Sequence, residues 1–157
     1  MPEDPEWIDE ADWRTVVRSV PIVSVDLVVN HDGGVVLGRR TNDPGKGEWF
    51  VPGGRVRKGE RLEGAVHRVA ADELGVEVEI ERQLGVAQHI WDTSEFPDIE
   101  SKHHVPVAYV VSVDTDSFDP DDQHDALQVF EPPFDAIDLH PFVERYLREA
   151  GLLHPKD

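Results

Sequence analysis

The stretch GGRVRKGERLEGAVHRVAADELG, Gly53 to Gly75, sets the plan of the chain. Two glycines follow Val51-Pro52, a basic loop follows the glycines, and a helical pattern follows the loop. Glycine lets backbone approach a ligand closely, and a carbonyl presented there can become a metal ligand. From Glu60 to Leu74 the apolar residues Leu62, Ala65, Val66, Val69, Ala70 and Leu74 recur near the 3.6-residue period, which buries one face of the predicted helix. Asp72 and Glu73 fall near its end, with Arg68 one turn before Asp72 and spaced to hold it. Glycines, a basic loop and helical carboxylates in this order are the plan of a site for phosphate and metal.

Upstream of the glycines, Ile8 to Arg18 carries Ile8, Ala11, Val16 and Val17 at helical spacing, with Trp13 between them. This predicts a short amphipathic helix over residues 8–18, its tryptophans used for packing. Ile22 to Asn30 is valine-rich and reads as a buried strand, and Asp32-Gly33-Gly34 as a hairpin turn into Val35 to Arg39. Asp26 interrupts the first strand. A buried carboxylate either pairs with a nearby histidine or arginine or serves a site, and the second reading is preferred here. Arg39 and Arg40 are adjacent at the end of the second strand, so only one of them can face a site.

Downstream, Val76, Val78 and Ile80 predict an edge strand, and Leu84 to Trp91 a further strand interrupted by His89. Asp92 to Lys102 is long and polar enough to be a mobile cover over a pocket. His103-His104 leads into an apolar strand from Val105 to Val113, an acidic loop runs from Asp114 to Asp125, and Leu127 to Phe130 is the last strand. Pro141 and Gly151 bracket a final amphipathic helix.

At 157 residues the chain is the size of one domain with a single well-buried core, and no repeat or linker divides residues 1–157. Residues 1–6 are Pro- and acid-rich and are expected to be disordered. With no cysteine, disulfides and thiolate metal sites are excluded. No apolar run approaches the roughly 20 residues that span a bilayer, and the N-terminus lacks signal-peptide features, so a cytoplasmic location and no membrane partner are expected. Net charge is −18, from 33 acidic and 15 basic residues, which argues against nucleic acid as a partner. Self-repulsion at that charge is relieved by salt, so the composition is also that expected of a halophilic protein.

Gly54, Glu60, Arg68, Glu73, Gly75 and Val76 stand in the register of the signature of the Nudix hydrolases, which the chain resembles over residues 53–76. Val69 stands where that signature has its first glutamate, and Asp72 where it has the second of three. A shortened signature is a feature of one subgroup, the GDP-mannose mannosyl hydrolases. Further segments resemble that subgroup: WRTVVRSVPIVSVDLVV, GRRTNDPGKGEWFVPGGRV, the helix ending in DELG, QHIWD and DDQHD, which together span most of residues 13–130.

The resemblance implies an α+β Nudix fold, an α/β/α sandwich around a central mixed β-sheet with the Nudix loop-helix-loop. It implies an enzyme that hydrolyses a nucleotide sugar, GDP-mannose foremost, to GDP and mannose, with water attacking the anomeric carbon and inverting it. Magnesium is the implied cofactor, with Mn2+ able to replace it, held by the Gly53 backbone oxygen, Glu73 and Gln123; Asp72 offers a carboxylate for a second ion. His124 is implied as the general base, and Arg40, Arg55 and Arg68 complete the implied catalytic set. Asp26, Arg40, Arg55, His89 and His104 are the implied substrate-binding residues. His89 reads equally as a core histidine or as a residue near the sugar. His104 replaces a subgroup tyrosine near the leaving diphosphate, so either imidazole supplies that donor or the contact is lost. A homodimer is also implied. Two other readings stay open: a pyrophosphatase splitting ADP-ribose or another nucleotide sugar, and a sugar-nucleotide-binding protein without turnover.

Overall fold

Branched apolar residues on both faces of Ile22–Val29 make a strand that a covered sheet buries best, and in the computed structural model of the chain this strand, β1 (Ile22–His31), lies at the sheet's centre. The structure describes residues 8–114 and 127–153. Among these residues eight strands form one mixed sheet: β1, β2 (Gly34–Arg39), β3 (Trp49–Phe50), β4 (Gly53–Arg55), β5 (Glu79–Val86), β6 (His89–Trp91), β7 (Lys102–Ser112) and β8 (Leu127–Phe130). The principal order is β3-β2-β1-β7-β5, with β4 on β1, β6 on β7 and β8 on β2. β1 and β7 run parallel from Ile22 opposite His104 to Asn30 opposite Ser112, and the other pairings are antiparallel.

Helices cover both faces, giving the α/β/α sandwich. On one side α2 (Leu62–Leu74) places Ala65, Val66, Val69, Ala70 and Leu74 against Val25, Leu27, Val107 and Tyr109. It ends at Gly75, whose φ of 75° is a left-handed cap that a side chain would strain. On the other side α3 (Pro141–Glu149), opened by Pro141 and capped by His140, buries Val143, Tyr146 and Leu147 against Val28, Leu37 and Phe50. α1 (Glu10–Ser19), capped by Asp9, packs Trp13, Val16 and Val17 against Ile22, Phe96 and Ile99. Among the described residues no helix is long and apolar enough to cross a membrane.

Two expected features come out differently. The segments read as separate strands around Ile80 and from Leu84 to Trp91 are one bulged edge strand, β5, followed by the short β6, because both pair with the single long β7. The loop from Asp92 to Ser101 is not a loose cover. Ile99 is buried under α1, the Ser94 hydroxyl bonds the carbonyls of Phe96 and Ile99, and Arg14 of α1 pairs with Asp98. Residues 1–6, with their expected disorder, lie outside the described residues.

Candidate active site

β4 pairs antiparallel with β1, Gly53 opposite Asp26, and that register brings the signature glycines to the charged residue of the central strand. Arg40, one residue past β2, completes the junction. Its Nε donates to the Pro44 carbonyl at 2.5 Å, and its backbone closes the 41–47 loop through bonds with Gly47 and Glu48. Arg40, Phe50, Val51 and Gly53 form a shared wall between two cavities. One, of about 290 Å³, is lined also by Asn42, Glu73 and Leu127. The other, of about 190 Å³, is lined also by Asp26, His89, Lys102 and His104. A larger hollow of about 370 Å³ between the 41–46 and 92–100 loops is mostly acidic and polar and holds none of the signature residues.

Asp26 is 7 % exposed. Burial pushes its carboxyl up to about 6, although a 2.6 Å hydrogen bond from the Tyr146 hydroxyl and the charge of Arg40 both favour the anion. His89 Nδ1 lies 3.9 Å from the same carboxylate, and its ring stacks on Phe142 at 4.0 Å with 2° between the planes. Burial, followed by the charges of His104 and His140, takes His89 down to about 4. Burial and the neighbouring charges of Lys102 and Arg40 do the same to His104. Both imidazoles are therefore neutral at pH 7 and can each offer one donor and one acceptor. Arg40 faces Asp26, Glu95 and Glu73, all of which support its charge against the burial that opposes it.

The other predicted residues fall in different places. Arg68 pairs with Asp72 at 3.8 Å, as expected, and holds Glu60 more closely with two bonds of 2.8 and 2.9 Å, adding a third to the Arg55 carbonyl at 2.8 Å. Glu60 also accepts from the Arg57 amide, so this pair fastens the basic loop to α2. Asp72 is exposed and lines neither cavity. Arg55 is not in either wall; its guanidinium lies 5.8 Å from the centre of the Trp13 ring. Arg39 is exposed at the rim of the Glu73 cavity. Val69, where the signature has glutamate, is core, and a Cβ on Gly54 would meet it at 3.0 Å. Gln123 and His124 lie outside the described residues.

Several residues of this region escaped the sequence reading. Tyr146 lies on the buried face of α3, where a phenol needs a partner, and the Asp26 carboxylate is that partner. Lys102 is buried on β7 beside His104 and ion-paired with Glu95 at 2.9 Å. Phe50, His89, Trp91, His140 and Phe142 form an aromatic cluster beside the Asp26 cavity.

Among the described residues no three histidine, aspartate or glutamate side chains gather into a metal cage. The donors that meet in one cavity are the Glu73 carboxylate and the Gly53 backbone, both oxygen donors. That set fits magnesium, which takes few protein carboxylates and fills its shell with water and substrate phosphate.

Asp26 also sets a pH dependence. A carboxyl raised from 3.8 to about 6 binds its proton more tightly in the fold, so its contribution is full below pH 3.8 and lost as pH rises through 6. At pH 8 the burden is about 3 kcal/mol. Asp26→Asn keeps the acceptor for Tyr146 and removes the charge. It is expected to raise stability by about 2–3 kcal/mol at pH 8, with the gain shrinking toward pH 4, as measured by urea unfolding. A gain independent of pH would rule out Asp26 as the titrating group.

The NUDIX domain profile matches residues 20–149. Across 140 residues the chain is 53 % identical to the low-salt glycan biosynthesis protein Agl8 of Haloferax volcanii, covering 89 % of this chain and 88 % of that one. It is 33 % identical over 94 residues to the ADP-ribose pyrophosphatase of Methanocaldococcus jannaschii, 59 % of this chain and 52 % of that protein. Its structure superposes on a MutT NUDIX hydrolase from Burkholderia pseudomallei with a TM-score of 0.61 at 28 % identity, covering 82 % and 97 % of the two chains.

Proposed function

The chain belongs to the NUDIX family of hydrolases, and from that premise we propose that it hydrolyses a nucleotide sugar, GDP-mannose foremost, at the bond between the anomeric carbon and the diphosphate. The observation that carries this reading is Arg40 standing in the wall common to two cavities. A diphosphate held at that wall would extend one way toward Glu73 and Gly53. In the other direction its sugar would meet Asp26, His89 and His104, which offer carboxylate and neutral imidazole partners for hydroxyl groups. The burial of Val69 in the core removes a signature carboxylate, which favours chemistry that needs fewer metal ions.

In the proposed reaction the oxygen of water attacks the anomeric carbon, the carbon–oxygen bond to the diphosphate breaks, and GDP leaves with the bonding pair. His124 takes the proton from the attacking water. Arg40 compensates the charge that grows on the leaving diphosphate. Magnesium, held by Glu73, the Gly53 carbonyl and Gln123, would supply further neutralisation of that charge. A halophilic setting and a homodimer belong to the same proposal, the first resting on the net charge of −18.

The second reading, cleavage within the diphosphate, is favoured by the similarity to an ADP-ribose pyrophosphatase. Hydrolysis in heavy-oxygen water separates the two. Label is expected in free mannose, with GDP as the other product; label in mannose phosphate or GMP would overturn the proposal in favour of the pyrophosphatase.

A further inference from the structure

Among the described residues of this acidic chain Lys102 is the buried lysine: it is 9 % exposed, whereas Lys46 and Lys58 are exposed. A buried ammonium is costly unless something compensates it. Here the 92–101 loop supplies Glu95, whose Oε1 lies 2.9 Å from Nζ, and α1 supplies Trp13, whose ring centre lies 5.5 Å away. The Trp13 Nε1–H donates to the other Glu95 oxygen at 2.8 Å, so the carboxylate is fixed between indole and ammonium. Burial pushes the Glu95 carboxyl up, but the indole bond, the Lys102 ammonium and a backbone N–H together outweigh it and hold the group below the usual carboxylate range.

The register decides where that charge points. Lys102 pairs with Trp91 and His104 with His89, and residues two apart on a strand share a face, so all four look the same way. They line the cavity that also holds Asp26 and Arg40. An ammonium carries three donors, more than its pair with Glu95 can use, and Lys102 lines a compartment whose other cation is Arg40. His104, between these cations in electrostatic terms, is neutral and adds no charge of its own.

We propose that Lys102 is a substrate-contacting cation which, preorganised by Glu95 and Trp13, binds the phosphate adjoining the sugar. It supplies the leaving-group contact that a neutral His104 supplies only in part. The assignment rests on the reading that this cavity holds a diphosphate-linked substrate.

The test uses the full chain, with binding of inorganic pyrophosphate in the presence of magnesium and steady-state hydrolysis of GDP-mannose as readouts. Lys102→Met is expected to weaken pyrophosphate binding and lower kcat/KM by about tenfold, and Lys102→Arg to restore most of both. Glu95→Gln removes the countercharge that orders the ammonium but leaves the ammonium itself, and is expected to lose less, about threefold in binding. Should Lys102→Met fail to fold, the double variant with Glu95→Gln leaves neither charge unpaired and is expected to show the same tenfold loss. Equal losses in Lys102→Met and Glu95→Gln would overturn the proposal, since Lys102 would then act only by holding the loop. A wild-type chain that hydrolyses the nucleotide sugar, alongside an unchanged Lys102→Met, would overturn it while sparing the reading of the site. A wild-type chain that neither binds pyrophosphate nor hydrolyses the sugar nucleotide would overturn both.

Discussion

Glu73→Gln is expected to lower turnover of the nucleotide sugar by about 1000-fold, about 4 kcal/mol of transition-state stabilisation, while leaving the melting temperature within a degree or two. The separation of the two effects follows from where Glu73 sits. It is exposed in the last turn of α2, between Asp72, also exposed, and Leu74, which is buried, and Gly75 caps the helix without it. An isosteric amide therefore disturbs no packing. The carboxylate nevertheless lines the cavity of Arg40 and Gly53, and its charge is felt by Arg40. An amide oxygen is a weaker donor to a hard cation than a carboxylate, so the residual rate should need a higher magnesium concentration for half-saturation. Initial rates across a magnesium series give the result directly. Turnover equal to wild type would remove Glu73 from the site.

Much of this geometry could be read from the chain because the signals are local. The β1 valines, the spacing of Leu62 to Leu74, the turn at Asp32-Gly33 and the helix bracketed by Pro141 and Gly151 each depend on neighbours within a few residues. Asp26 was legible as a charge out of place, and the structure gives the reason: it pairs in register with Gly53 and is bonded by Tyr146, 120 residues away. That second partner could not be found by spacing, because a hydroxyl on an apolar helix face gives no sign of where it is spent. Arg68 shows the opposite limit. The i,i+4 rule pointed to Asp72, and that ion pair forms at 3.8 Å, but Glu60, eight residues before Arg68, offers two oxygens to a planar fork and takes the closer contact. The link from Lys102 and Trp13 to Glu95 was not legible for a third reason: it exists only where α1 meets the 92–101 loop.

The second large effect is expected from one methyl group. A Cβ on Gly53 would stand 2.3 Å from Asp26 Oδ1 and 2.8 Å from the Val25 carbonyl oxygen, both closer than such atoms come. The carboxylate cannot swing aside, since Tyr146 holds its other oxygen at 2.6 Å, and the carbonyl belongs to the central strand. β4 must therefore lift from β1, which loosens the pairings of Ser24 with Arg55, Val25 with Gly54 and Asp26 with Gly53. Overpacking of this kind costs about 3 kcal/mol. It also shifts the Gly53 carbonyl and the cavity wall beside Arg40, so Gly53→Ala should lose about 100-fold or more in turnover as well, because misplacement by about 1 Å is enough for that. Gly54→Ala is the control on the same strand. Its Cβ would meet only Val69 Cγ2 at 3.0 Å, a side chain that can give, and about 1 kcal/mol is expected. Asp26→Ala combined with Gly53→Ala should recover part of the lost stability but not all, because the Val25 carbonyl remains. Urea unfolding of the four chains measures the differences. Equal losses at positions 53 and 54 would mean that the approach of β4 to Asp26 is not what requires glycine there.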